Sequence, residues 1–163
     1  MQLETNRLII IPLTQQQFSF LLESKSRFEE SLKLIPSGVP LDPHTEEAMT
    51  GLYAECEKHD DSIWYTYWVI ISKEHNTVIG GLCFMHEPIE GKTELGYGID
   101  SAFQNRGYMT EALSSVAKWA LSNGARCITA ETENDNPASH AVLKKCRFHI
   151  SGEGGDSLRW VYP

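Results

Sequence analysis

The sequence predicts an α+β domain, a sheet with helices packed against it, and three observations carry that expectation. Strand-like runs follow one another at Ile63–Ser72, Val78–Met85 and Thr93–Asp100. The turns between them, Glu74-His75-Asn76 and Glu90-Gly91-Lys92, suit an antiparallel meander. Met109, Ala112, Leu113, Val116 and Ala120 then recur at helical spacing. The whole chain reads β-α-α-β-β-β-α-β-α-β-β.

Taken in order, Arg7 to Leu13 is short, β-branched and bounded by Pro12, so it predicts the first strand. Thr14 precedes one helical pattern through Phe18, Leu21, Leu22, Phe28 and Leu32, ending near Pro36-Ser37-Gly38. Thr45, with Glu46 and Glu47 in the first turn, starts a second helix that reaches about Lys58. After the three-strand meander, a helix runs from about Gly107 to Ser122 and stops at Asn123-Gly124. Cys127–Thr132 is a further strand. Asn136-Pro137 opens another helix with the residues that N-cap and N1 prefer. Two short strands, His149–Ser151 and Leu158–Val161, finish the chain. The aromatic run Trp64, Tyr65, Tyr67 and Trp68 reads as core and strand pairing.

Composition narrows the function classes. The 163 residues suit one domain, 1–163, with no internal repeat or low-complexity tract. A formal charge of −8 argues against nucleic acid, which needs a basic footprint, and leaves room for a cationic substrate. No apolar run approaches the roughly 20 residues of a membrane span, and Met1 to Leu13 does not read as a signal peptide. Cys56, Cys83, Cys127 and Cys146 lack metal-ligand spacing, so no metal is expected. The expected location is the cytoplasm.

The most informative segment runs from Leu95 to Leu113. A strand ends at Asp100, a short loop turns, and a helix begins near Gly107. Backbone N–H groups of Gln104, Asn105, Arg106, Gly107 and Tyr108 therefore lie at a helix N-terminus, a natural anion site. Gly107 allows close backbone approach and Arg106 adds charge, so a diphosphate is a fitting ligand. An ordinary strand-to-helix turn would need the same glycine. The loop is not a Walker loop, since no Gly-Lys-Ser/Thr follows, and it lacks the later glycines of a Rossmann fingerprint.

Gln104-Asn105-Arg106-Gly107-Tyr108-Met109 resembles the acetyl-CoA loop of the GNAT superfamily, with Met109 where a small residue is usual. The resemblance is to the branch of RimJ/RimL-type ribosomal-protein N-terminal acetyltransferases. Glu4-Thr5-Asn6-Arg7-Leu8 looks like that branch's opening, Glu94-Leu95-Gly96-Tyr97 its fourth strand, and Arg106 through Thr110 to Ala112 its loop and helix start. Asn134-x-Asn136-x-x-Ser139, then Val142 to Phe148, resembles its later motif, with Cys146-Arg147 replacing a small residue and glycine. The resemblance implies a GNAT fold, a mixed, mostly antiparallel sheet of about seven strands flanked by about four helices. It implies acetyl-CoA as acyl donor, an amine acceptor such as a protein N-terminus or a small amine, and room for a homodimer.

Roles follow from the resemblance and from local pattern together. Alternation along the fourth strand puts Glu94, Gly96, Gly98 and Asp100 on one face, a bare strip beside a carboxylate. A bulge, which the family carries in this strand, would shift that phasing. Glu94 is the candidate base for the amine proton, directly or through water; as a residue by itself it also reads as a solvated strand position. A backbone N–H near Ile99 is expected to polarise the thioester carbonyl. Gly98, Ile99, Gln104 to Thr110, Asn136 and Ser139 are the expected coenzyme contacts. Ser139 or water protonates the leaving thiolate. Many family members use a tyrosine on this helix, and none is present. His140 ranks below Ser139 as an acid–base group, Glu111 reads as a helix-dipole partner, and Lys144 and Lys145 as a solvated face. Acceptor side chains are expected around Leu34 to Pro43.

Overall fold

The computed structural model describes residues 1–60 and 63–163. Among these residues one sheet of eight strands runs in the order β1-β2-β3-β4-β5-β6-β8-β7. The strands are β1 (Leu3–Glu4), β2 (Leu8–Pro12), β3 (Tyr67–Ser72), β4 (Thr77–Phe84), β5 (Lys92–Ile99), β6 (Cys127–Glu133), β7 (His149–Gly154) and β8 (Ser157–Tyr162). Neighbours pair antiparallel throughout except β5 and β6, which are parallel. Among the described residues five α-helices flank the sheet: α1 (Gln15–Glu23), α2 (Lys25–Ser31), α3 (Pro43–Cys56), α4 (Tyr108–Ser122) and α5 (Pro137–Lys145). This is the α+β fold that the sequence predicts, with one strand and one helix more.

Strand alternation divides the core between two sides of the sheet. Leu8, Ile10, Trp68, Ile70, Leu82, Phe84 and Leu95 are buried with the apolar stripe of α4 and with Leu143 of α5. Val69, Ile71 and Val78, with Ile9 and Ile11, pack against Phe18, Leu21, Phe28 and Met49 of α1 to α3. The aromatic run is split accordingly. Trp64 and Trp68 join the first cluster and Tyr67 the second, while Tyr65 stacks on His59.

Several boundaries move for identifiable reasons. The single helix expected after Thr14 is two, because Ser24 adopts an extended conformation (φ −163°) and its side chain accepts from Arg27 N, capping α2. Thr45 does not start α3. Asp42 is its N-cap, accepting from Thr45 N, and Pro43 occupies the first turn. The run from Ile63 becomes strand only at Tyr67. Leu3–Glu4, unmarked in sequence, pairs with Ile9 and Ile10 as an edge. The expected bulge is absent from β5, whose register with β4 is unbroken from Phe84/Leu95 to Gly80/Ile99. It lies instead on the other side of β4, where the β3 partner jumps from Gly80 to Val78 and leaves Ile79 over.

One departure from the expected pattern is absorbed without changing the turn. Arg147 stands where a glycine was expected and takes φ 67°. Phe148 N donates to Leu143 O at 2.9 Å and Arg147 N to Lys144 O at 3.0 Å, closing a Schellman motif on α5.

Candidate active site

The site begins where the sheet opens. β5 pairs with β6 over only three positions, Lys92/Cys127, Thr93/Ile128 and Glu94/Thr129. Beyond Glu94, β5 stays with β4 while β6 stays with β8 as far as Glu133/Ser157. The two halves of the sheet therefore part at Glu94, leaving a gap along one edge of β5.

Ladder alternation decides what β5 presents to that gap. Met85 N donates to Glu94 O and Asp100 N to Ile79 O, so Glu94, Gly96, Gly98 and Asp100 direct their backbone polar groups at β4. Leu95, Tyr97 and Ile99 direct theirs the other way, into the gap. The Ile99 N–H is thus directed into the gap. Side chains follow the complementary phase: Thr93 and Leu95 are buried, whereas Glu94 and Gly96 are half-buried and Gly98 exposed. The predicted strip of Glu94, Gly96 and Gly98 stands on one face. Across it the Tyr67 ring lies over Gly81, where a Cβ would strike its hydroxyl end.

A cleft of about 350 Å³ continues from the gap. Tyr97, Gly98 and Ile99 of β5 form one wall. Phe103, Gln104, Asn105, Gly107, Tyr108, Met109 and Thr110 form the loop and first turn of α4. Asn136, Ala138, Ser139, Ala141, Val142 and Lys145 of α5 form the other wall. Ten of the residues expected from the sequence to contact coenzyme line this one cleft. Arg106 is not among them; its guanidinium lies 5.8 Å from the centre of the Phe103 ring. Glu94 stands at the parting of the strands, and among the described residues its carboxylate has no hydrogen-bond partner.

The anion character of the loop has a local cause. α1, α2, α3 and α5 are each capped by a side chain, from Thr14, Ser24, Asp42 and Asn136. α4 is not. Its N-cap is Gly107, at φ 78° and ψ 4°, and among the described residues no side chain caps its leading N–H groups. The leading N–H groups of α4 are left for a ligand, and the helix dipole adds positive potential there. Asn105 (φ 59°) and Gly107 both take left-handed conformations, the kind of turn that draws successive N–H groups toward one point. A Cβ on Gly107 would meet Arg7 Nη2 at 3.5 Å, so the glycine answers to its dihedrals and not to crowding.

On α5, Asn136 Oδ1 accepts from Ser139 N at 3.1 Å, the cap expected from the sequence. The Ser139 hydroxyl has no partner among the described residues. One participant was missed. The Tyr97 hydroxyl donates to Ser139 O at 3.3 Å, crossing from β5 to the helix that lacks a tyrosine of its own. Burial pushes its pKa up to about 12, so it keeps its proton at neutral pH. The period-2 rule placed Tyr97 opposite the strip but gave no sign that it reached α5. His140 faces away from the cleft, its Nε2 2.9 Å from Glu133 O and its ring 5.5 Å from Trp160. Glu111 does more than meet the helix dipole, since it binds Thr5 and Arg7. Lys145 lines the cleft; Lys144 does not.

None of Cys56, Cys83, Cys127 and Cys146 lines the cleft. Cys83 pairs with Gly96 across the strands, and burial pushes its thiol up to about 11, fully protonated at neutral pH. Burial also raises Cys146, which donates to Thr110 O. Among the described residues no group of His, Cys, Asp and Glu could hold a metal, and no helix is long and apolar enough to cross a membrane.

Residues 7–149 match the acetyltransferase (GNAT) domain family, and the chain belongs to that family. It is 30% identical over 107 residues to the uncharacterized N-acetyltransferase YjdG of Bacillus subtilis (strain 168), a match spanning 64% of this chain and 64% of that relative. Among solved structures, it superposes on RimL, a ribosomal α-N-protein acetyltransferase in complex with coenzyme A, with TM-score 0.69 and 18% identity, over 99% of this chain and 97% of the other. The ribosomal-protein-S5-alanine acetyltransferase of Vibrio fischeri gives 0.67 and 19%, over 99% and 96%. The family expected from the sequence motifs is borne out, and the fold is the one these RimL-type structures share.

Proposed function

We propose that the protein transfers an acetyl group from acetyl-CoA to a primary amine, with a protein or peptide N-terminal α-amine as acceptor. The observation that carries this reading is the uncapped start of α4, opening on a cleft that leads to the parted strands β5 and β6. The residues fit the coenzyme: N–H groups from Asn105 to Thr110 suit a diphosphate, the Gln104 N–H being bonded to Ser101 O instead, and the edge of β5 at Tyr97 and Ile99, where Ile99 O already accepts from Gln104 Nε2, suits the amides of a pantetheine arm. Asn136 and Ser139 stand on the opposite wall. Bound acetyl-CoA supplies an activated acyl thioester.

The chain's own groups carry the rest. Glu94, at the mouth of the gap with a free carboxylate, takes the ammonium proton, directly or through water. Deprotonating an α-amine at pH 7 costs about 1 kcal/mol, against about 4–5 for a lysine ammonium, so an N-terminal acceptor asks little of that base. The Ile99 N–H polarises the thioester carbonyl. The Ser139 hydroxyl gives its proton to the departing thiolate and regains one, directly or through water, from the nitrogen as it becomes the amide, with Tyr97 beside it. Attack is direct, consistent with a cleft lined by no cysteine. The similarity to RimL and to the S5-alanine enzyme supports the α-amine reading over a small amine. So does the stretch from Leu34 to Pro43, whose single carboxylate, Asp42, is spent capping α3.

Calorimetric titration with coenzyme A, then thiol release from acetyl-CoA across N-terminal peptides, polyamines, aminoglycosides and amino acids, tests the proposal. Binding with turnover on peptides is expected. No binding would remove acyl transfer altogether, and binding without turnover on any amine would make the protein an acyl-CoA-binding module. Glu94→Gln should alter the pH–rate profile; an unchanged profile would clear Glu94 of the base role.

A further inference from the structure

The loop before α4 is held from behind by residues far away in sequence. Thr5 and Arg7 precede β2, and both reach Glu111 in the first turn of α4. Glu111 Oε1 accepts from the Thr5 hydroxyl at 2.6 Å and from Arg7 N at 2.9 Å, and Oε2 accepts from Arg7 Nε at 2.7 Å. The other arm of the guanidinium continues to the loop, where Nη1 donates to Arg106 O at 3.0 Å. Its plane sits 4.4 Å from the centre of the buried Tyr108 ring. The Thr5 hydroxyl also accepts from Leu8 N at 3.0 Å, which fixes the turn carrying Arg7.

The bond to Arg106 O matters because a peptide unit is planar and trans. With the carbonyl drawn to Arg7, the N–H of Gly107 points the opposite way. Gly107 lines the cleft and Arg7 does not, so that N–H faces the cleft. Glycine at 107 leaves a peptide flip nearly free of steric cost. Flipped, the same unit would present a carbonyl oxygen where an anion is to bind. No side chain of the loop prevents this, and Arg7 does.

We propose that Thr5, Arg7 and Glu111 form a clamp that fixes the orientation of the Arg106–Gly107 peptide, making Arg7 a positioning residue for the coenzyme diphosphate. The inference rests on the acetyl-CoA reading above. The clamp acts on the diphosphate end only; it leaves the thioester, Glu94 and the acceptor untouched.

Two acyl donors separate the clamp from general damage: acetyl-CoA, and S-acetylpantetheine, which lacks the diphosphate. In Arg7→Met, which keeps the apolar stem over Tyr108, the affinity for coenzyme A should fall about tenfold or more. KM for acetyl-CoA should rise in step, with kcat at saturation and KM for the acceptor unchanged. kcat/KM with S-acetylpantetheine should match wild type. Arg7→Lys should restore the melting temperature but not the affinity, because an ammonium cannot span Glu111 and Arg106 O together. If Arg7→Met does not fold, Thr5→Val and Glu111→Gln carry the same two-donor comparison. Equal losses on both donors, or unaltered affinity for coenzyme A, would overturn the clamp while the acetyl-CoA reading stood. Wild-type protein that fails to bind coenzyme A would overturn both.

Discussion

Gly98→Ala puts the bare strip of β5 to a direct test, because folding and function should move in opposite directions. A Cβ built on Gly98 meets nothing within 4 Å, and the residue lies in regular strand pairing opposite Gly81. The folded state therefore loses nothing, while the unfolded chain loses freedom worth about 0.4–1 kcal/mol. For a chain of this length, that is a rise of about 1–4 °C in melting temperature. Gly98 also lines the cleft. If the strip is the berth of the acyl-pantetheine arm, overfilling it costs about 1–3 kcal/mol of binding, or about 5- to 150-fold in KM for acetyl-CoA. Differential scanning calorimetry and steady-state kinetics with acetyl-CoA varied would read the two effects. A lowered melting temperature would refute the argument from open space. A raised melting temperature with unaltered KM would refute the assignment of the strip.

Three further perturbations follow from particular contacts. Ser139→Ala should lower kcat at saturating substrates by about tenfold to a hundredfold if its hydroxyl protonates the thiolate; if Tyr97→Phe does so and Ser139→Ala does not, the tyrosine is the donor. Arg147→Gly should raise stability by about 1 kcal/mol, seen as an increased urea midpoint, because a non-glycine residue at φ 67° carries a left-handed penalty. For Glu111, burial pulls the carboxyl up, but hydrogen bonds from Thr5 and Arg7 and the Arg7 charge outweigh it, and its pKa lies below the ordinary 4.5. A lowered carboxylate contributes stability that is present above pH 4.5 and lost as pH falls through its folded pKa. Urea unfolding at stepped pH should show wild type losing that increment in acid. Glu111→Gln should lack it at neutral pH already and titrate less steeply below 4.5.

What the sequence made legible was local in origin. The stripe from Met109 to Ala120 and the cap at Asn136 are set by residues within a turn of one another, and both elements lie where pattern put them. The break at Ser24 was not visible, because Phe18, Leu21 and Phe28 keep a helical spacing straight through it. Two helices packing on one cluster leave the same apolar signature as one. The edge strand Leu3–Glu4 was equally silent. It holds two residues, too few for any period, and its strand character comes only from pairing with Ile9 and Ile10.

The site divides along the same line. That the loop from Gln104 to Thr110 enters a helix, with all but Arg106 on one cleft, could be read because it depends on consecutive backbone groups, and neighbours in sequence are neighbours there in space. The Tyr97 contact with Ser139 spans 42 positions and the Thr5 contact with Glu111 spans 106. Neither follows from spacing, since each depends on how far β5 has parted from β6 or on which strand passes behind α4. Glu111 shows the consequence most plainly. A carboxylate in a first helical turn is sufficiently explained by the dipole, so local reasoning stopped at a correct cause and had no prompt to seek another. Its position in the fold adds two hydrogen bonds from Arg7 that no helix in isolation would possess. The same guanidinium then bonds the carbonyl of Arg106, so a residue before β2 governs a peptide whose own neighbours leave it free to turn.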